Sequence, residues 1–348
     1  MNSIGQREAR SVSSPKTLNV FCKLGPAKPT IVYDTYWKFA AERQAIFFRR
    51  FQNEKRPWTK DAILQEYKFT NAYRASDRVS QYLIKNVIYT GIQAAEEVFF
   101  RIMLFKIFNR IETWELLLGE VGTLCYADYS FDRFDRILDK SLQSGNRIYS
   151  GAYIMPSGGC RSRFRRKHRM HLRLIERMME DKLAFRICNS PSMGKAFELM
   201  RSYPTIGDFL AYQYITDLNY SSLTNFSELE FVIPGPGARN GIRKCFSDLG
   251  GLTEAEMIKV VMDRQELEFN RLGLNFQDLW GRKLQLIDCQ NLFCEVDKYA
   301  RIGHPEFNNS RGRKRIKQRF KPREFPIQYW YPPKWRINEE IPATVRSD

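Results

Sequence analysis

Apolar residues recur at intervals of three and four along most of the chain, the signature of helices that each bury one face. The run Tyr36-Trp37-Lys38-Phe39-Ala40-Ala41-Glu42-Arg43-Gln44-Ala45-Ile46-Phe47-Phe48 has this spacing. Pro57-Trp58-Thr59 interrupts it, and Thr59 is placed to cap a helix opening at Lys60-Asp61-Ala62-Ile63-Leu64. Residues 75–120 read as strongly helical, with a dense stripe from Ile84 through Phe108 that Trp114, Leu116, Leu117 and Leu118 extend. Further helices are expected over 130–145, about 169–187, 192–202 and 205–220. A short helix is expected over 238–247, and another opens at the capping-box pattern Thr253-Glu254-Ala255-Glu256. Residues 280–301 read as helical or nearly so. No repeat and no sustained alternation of period two is present, so the fold class is mainly α.

The segments divide the chain into three: a polar tail over 1–30, a helical core over 31–305 and an extension over 306–348. A Pro/Gly/Ser loop at 155–165 forms a basic insertion near 155–175. Hydrophobic residues make up 43% and aromatics 14%, enough for a large core and too much for a disordered chain.

Charge narrows the partners. The formal net charge is +17, which draws polyanions, nucleic acid first and an anionic membrane surface second. The excess is clustered. Residues 161–169 hold Arg161, Arg163, Arg165, Arg166, Lys167 and Arg169 with no acid before Glu176, and 311–323 hold eight Lys/Arg, including Arg313, Lys314 and Arg315, with no acid. Both blocks are candidate phosphate contacts; a localisation signal or a solvated tail is the alternative. Tyr329, Trp330, Tyr331 and Trp335, just beyond, either stack on bases or fold back on the domain. Seven cysteines, no CxxC pair and three histidines give neither a disulfide framework nor a zinc set, so no metal and no cofactor are expected. No apolar run approaches a membrane span and no secretory leader is seen, so the expectation is a soluble monomer, cytoplasmic in a bacterium or nuclear in a eukaryote.

Four stretches carry candidate chemistry. The turn Pro234-Gly235-Pro236-Gly237 opens a helix bearing Arg239, Arg243 and Lys244. Unpaired amides and the positive dipole end suit an anion there, with Gly235 and Gly237 allowing a phosphate close approach; an ordinary Pro/Gly helix connection is the alternative. Asp288 stands in Leu286-Ile287-Asp288-Cys289-Gln290-Asn291, an apolar setting that is costly for a carboxylate unless it is paired or used; a helix cap is the plain alternative. Asn71, Tyr73 and Arg74 crowd an amide, a phenol and a guanidinium suited to reading a base edge, or form part of a solvated ion-pair face with Asp77 and Arg78. Gln213, Asp217 and Tyr220 share one helical face and are read as pocket lining or as core polar groups.

Together these stretches resemble the helical domain associated with 5-hydroxymethyl-deoxyuridine DNA kinases, which also occurs among α-glutamyl/putrescinyl-thymine pyrophosphorylases and is related to helix-hairpin-helix DNA glycosylases. The residues carrying the likeness are Phe69-Thr70-Asn71-Ala72-Tyr73-Arg74, Phe209-Leu210-Ala211-Tyr212-Gln213, Pro234-Gly235-Pro236-Gly237-Ala238 and Ile287 through Glu295, within about 33–303. The likeness implies a glycosylase-like fold of two helical halves around a cleft. It implies duplex DNA as partner, in particular phage DNA carrying modified bases. Ile233 through Gly237 matches the relatives' hairpin, and Ile287-Asp288-Cys289-Gln290 matches the run holding their catalytic aspartate. Arg239 stands where bifunctional relatives carry lysine, so a lyase step is not expected. No GxxxxGK[ST] occurs in these 348 residues. The expected activity is excision of a hypermodified or glucosylated hydroxymethylpyrimidine, leaving an abasic site, in defence against phage. Asp288 and Asp217 are the candidate catalytic carboxylates, and Asn71, Tyr73, Arg74, Gln213, Gln290 and Asn291 the candidate base contacts. Two alternatives stand beside it: a transferase or pyrophosphorylase building on hydroxymethylpyrimidine in DNA, and a non-catalytic reader of modified DNA.

Overall fold

A computed structural model describes residues 26–151, 166–308, 314–322 and 328–342. Arg165 and Arg313, with the rest of 161–165 and 311–313, fall outside the described residues, as does the 155–165 loop.

The protein is mainly helical. The helices are α1 (Ile31–Phe51), α2 (Ala62–Glu66), α3 (Arg78–Leu83), α4 (Ala95–Phe108), α5 (Ile111–Val121), α6 (Phe131–Gln143), α7 (Lys167–Glu180), α8 (Leu183–Cys188), α9 (Met193–Arg201), α10 (Asp208–Leu218), α11 (Pro236–Cys245), α12 (Glu254–Asp263), α13 (Gln265–Arg271) and α14 (Leu286–Gly303). One antiparallel pair of short strands, β1 (Lys28–Pro29) and β2 (Phe246–Asp248), is the sheet among the described residues. No described helix is long and apolar enough to cross a membrane.

Local chemistry sets the boundaries. Thr30 caps α1 by accepting the Val32 amide at 3.2 Å, five residues earlier than the apolar spacing suggested. Asp61, not Thr59, caps α2, accepting the amides of Ile63 and Leu64; a carboxylate one residue from the first turn reaches two donors where the Thr59 hydroxyl reaches only Asp61. The expected capping box at Thr253–Glu256 is present and starts α12. The stretch expected to be continuously helical from 75 is broken. A 3-10 turn (Arg74–Ser76), α3 and a π-turn (Ile84–Ile88) precede α4, and Asn109 ends α4 in the left-handed conformation, φ 48°. Lys182, φ 50°, likewise separates α7 from α8 inside the span expected to be one helix. The last helix begins at Leu286 rather than near 280, because Trp280 and Gly281 adopt positive φ and Leu279 bridges to Arg282.

The helices gather in two groups. α1, α2, α11 and α12 pack on α14, while α4 packs against α5, α7, α8 and α10, with α6 on α7 and α9 on α10. The segment 74–88 runs from α14 to α4 and joins them. α1 is seated by elements far along the chain: the Thr30 amide donates to the Cys245 carbonyl at 2.8 Å, and Tyr36 and Trp37 are wholly buried, Tyr36 against Phe293 and Trp37 against Phe269. α4 is apolar on nearly every face and buried from Glu97 to Phe108, so it is the spine of the middle group.

Residues 328–342 lie against the domain. Tyr331 is fully buried, its hydroxyl 2.8 Å from Ser76 Oγ, and Trp335 meets Tyr220 edge-on. Tyr329 packs on Phe47 and Trp330 on Tyr89. Of the two readings of this aromatic cluster, these contacts are those of a segment folded back on the core.

Candidate functional site

Five of the eight candidate catalytic and base-contact residues, Arg74, Gln213, Asp217, Asp288 and Gln290, meet at the seam between the two helical groups. Arg74 is the hub. Its backbone amide donates to Asp288 Oδ1 at 2.8 Å, its Nε to Gln213 Oε1 at 3.1 Å and its Nη1 to the Tyr220 hydroxyl at 3.1 Å. Nη1 also lies 2.7 Å from Asp217 Oδ1. On the far side of Asp217, Lys106 Nζ stands 3.1 Å from Oδ2 and donates to Asn109 Oδ1 at 2.8 Å. Gln213 reaches toward Gln290, whose own amide points at Cys294 Sγ.

This arrangement decides the state of both carboxylates. Burial by itself raises the Asp217 pKa, but the Arg74 and Lys106 cations outweigh it and hold the carboxyl below its usual range. Lys106 is pushed down to about 8, burial acting against its charge. A fully buried carboxylate held between two buried cations is a structural ion triad. Asp288 is set differently. Burial pushes it up to about 6, against the lowering effect of two backbone amides. Oδ1 accepts from Arg74 and Oδ2 from the Gln285 amide at 3.0 Å, while the Gln285 side chain caps the Asp288 amide. Asp288 is thus the third residue of α14, closing its capping box, and each oxygen already has a backbone partner. Its carboxylate faces the 74–76 turn on one side and the start of α14 on the other.

Tyr73 and Asn71 are also built into the framework. The Tyr73 hydroxyl donates to the Arg282 carbonyl at 2.6 Å and accepts from the Leu279 amide. Asn71 accepts from Arg43 and donates to the Ser76 carbonyl at 2.8 Å, beside Asp77, whose pKa burial pushes up to about 7. The expected solvated ion-pair face at 74–78 is therefore replaced by buried bonds at Arg74 and a half-buried one from the Asn71 amide to Asp77. Asn291, half-exposed in the second turn of α14, is the candidate base contact with the most solvent access.

The Gly-rich turn does position a helix, but its glycines answer to protein neighbours. A Cβ at Gly235 would stand 2.6 Å from the Phe209 ring, one at Gly237 3.1 Å from Cys294 Sγ, and one at Gly241 would collide with the Phe293 carbonyl. Glycine at 237 and 241 lets α11 cross α14 at close range, while Gly235 makes room for Phe209 of α10. The Ala238 amide, one of the donors expected to await a phosphate, turns to Cys294, whose thiol burial pushes up to about 12. Lys244 is buried and bound to Asp297 at 3.1 Å and to Asn308, so its ammonium faces inward rather than toward a DNA phosphate. Arg239 and Arg243 are exposed, the first bonded to the Pro234 carbonyl and the second paired with Glu254 at 3.2 Å. In the basic blocks, Arg166 pairs with Asp139 at 3.1 Å, Lys167 lies over the Tyr149 ring, and Lys314 and Arg315 are exposed.

Sequence reasoning missed Lys106 and the pair Glu228–Arg282. Lys106 was legible as a lone cation inside Leu104-Phe105-Lys106-Ile107-Phe108, a run that must bury all its faces. Glu228 and Arg282, 2.8 Å apart beneath Trp335, lie in loops with no periodicity to mark them.

Fold and seam together define a mainly α-helical module whose two helical groups are locked by a buried polar network. The family model for the helical domain of 5-hmdU DNA kinase matches residues 30–309, and the chain belongs to that family. A 5-hmdU DNA kinase of Bacillus phage SP10 is 27% identical over 317 residues, covering 84% of this chain and 50% of that protein. The chain thus spans about half the length of the curated relative it matches. No solved structure matches.

Proposed function

We propose that this module binds duplex DNA carrying a 5-hydroxymethylpyrimidine and presents that base for modification while it stays in the DNA. The observation that carries the reading is membership, over residues 30–309, of a family described by a kinase acting on 5-hydroxymethyl-deoxyuridine in DNA. The net charge of +17 supports a polyanion partner, and the exposed Arg239 and Arg243 are the proposed phosphate contacts on α11. The target base leaves the stack to be read, as enzymes acting on bases require. The 348 residues contain no P-loop pattern, so the role assigned to them is recognition and presentation of the base, not phosphoryl transfer itself.

Excision, the activity first expected, draws less support. A glycosylase carboxylate must face the sugar as positive charge develops there. Asp288 has both oxygens on backbone amides, and Asp217 is clamped by Arg74 and Lys106.

The test uses matched duplexes containing thymine or 5-hydroxymethyluracil. Tighter binding of the hydroxymethylated duplex, with no alkali-labile sites after prolonged incubation, is the expected result. Equal affinity for the two removes base recognition; released base and abasic sites restore excision.

A further inference from the structure

A groove lies away from the seam, in the middle helical group, between α5 and α6. Its volume is about 490 Å3, and Arg133, Arg136, Lys140, Ser144, Asn146 and Glu120 are among its lining residues. The three cations are spaced by three and four, so they share one face of α6, opposite the buried Phe134 and Leu138. From Arg133 to Lys140 the helix rises about 10 Å. All three are exposed.

Neighbouring bonds orient this face. Arg133 Nη2 donates to the Glu120 carbonyl at 2.8 Å and Arg136 Nε to the Asp132 carbonyl at 3.2 Å. Both acceptors are neutral main-chain oxygens, so neither guanidinium charge is cancelled by these bonds. Two of the acids on α6 are taken up elsewhere: Asp135 binds His168 and Arg169, each at 2.7 Å, and Asp139 binds Arg166. Glu120 is the one acid in the lining. Concentrated positive charge with hydroxyl and amide donors in a concave site suits a row of phosphate oxygens.

We propose that the α5–α6 groove binds the phosphodiester backbone of DNA, as a second contact surface on a different helical group from Arg239 and Arg243. The inference rests on the reading that this module binds DNA. The groove holds the backbone and takes no part in choosing the base, because phosphate contacts carry no sequence information.

The test compares the full chain with R133E/R136E/K140E and with the neutral set R133Q/R136Q/K140Q, by fluorescence anisotropy on a labelled duplex between 50 and 200 mM salt. Loss of three phosphate contacts lowers the slope of log affinity against log salt by about 2 to 3 and weakens binding about tenfold or more at the upper salt. The ratio of affinities for 5-hydroxymethyluracil and thymine duplexes stays at its original value. The neutral set gives the same slope change and carries the test if charge reversal disturbs folding. A slope equal to that of the unaltered protein overturns the proposal. If the unaltered protein binds no duplex, the base-presentation reading fails; if it binds and the variants bind equally, only the groove assignment fails.

Discussion

Arg74 and Asp217 form an ion pair at 2.7 Å in which the carboxylate is wholly buried and the guanidinium almost so. Asp217 sits in α10, and Arg74 in the segment leading from α14 to α4, so the pair pins the two helical groups to each other.

Removing the carboxylate leaves two cations facing each other in the interior. Asp217→Asn is expected to lower stability by about 3–5 kcal/mol, the usual cost of stranding a buried charge. Urea unfolding measures it. Adding Lys106→Met to that variant should recover part of the loss, since one stranded cation then disappears; an additive second loss would mean that Lys106 does not answer to Asp217.

The Asp288 pKa predicts a pH dependence of stability. Its folded value, about 6, is above the unfolded one, so the folded protein holds the proton more tightly. The contribution is fully present below about pH 4 and is lost as pH rises through about 6. Asp77, pushed up to about 7, has the same sign and carries the decline further. Asp288→Asn should make the fall between pH 4 and 6 shallower and leave the fall toward 7. Unfolding free energies at each pH check this, and an unchanged slope between 4 and 6 counts against a raised Asp288.

Two glycines should respond in opposite directions to the same methyl group. Gly241→Ala drives Cβ into the Phe293 carbonyl and forces α11 from α14, at a cost of about 1–3 kcal/mol. Gly119→Ala, within α5 and with open space around it, should stabilise by about 0.5–1 kcal/mol. Thermal melts of the two variants separate close packing from backbone freedom.

Tyr331 is buried beyond the helical core in sequence yet bonded to Ser76 within it. Tyr331→Ala should cost about 3–5 kcal/mol, as for other large buried aromatics, and Tyr331→Phe about 1 kcal/mol for the hydroxyl alone. Equal melting temperatures for Tyr331→Ala and the unaltered protein would place this segment away from the core in solution.

Periodicity revealed the helices whose signals are local. α6 has one apolar face and α12 has its capping box, and both stand where the spacing placed them. Breaks that depend on a single left-handed residue did not show: Asn109 is a tolerable residue for that conformation, but Lys182 gives no sign of it. The site was legible as a set of residues and illegible as chemistry. Arg74, Gln213, Asp217, Asp288 and Gln290 do converge; the last four are polar residues in apolar stretches, whereas Arg74 stands among polar neighbours. Whether such a residue faces a ligand or another buried residue depends on the partner, here Lys106 for Asp217 and the Arg74 amide for Asp288, contributed from elsewhere in the chain. The hairpin glycines carry the same ambiguity, since close approach to a phosphate and to a neighbouring helix demand the same missing Cβ.

The seating of α1 shapes how this protein must be made. Its Thr30 and Tyr36 partners, Cys245 and Phe293, are more than 200 residues away in sequence. A ribosome therefore releases α1 with Tyr36 and Trp37 uncovered, and they stay so until Phe269 of α13 and Phe293 of α14 have been synthesised. During that interval the nascent chain offers a sticky aromatic stripe to chaperones and to other copies of itself.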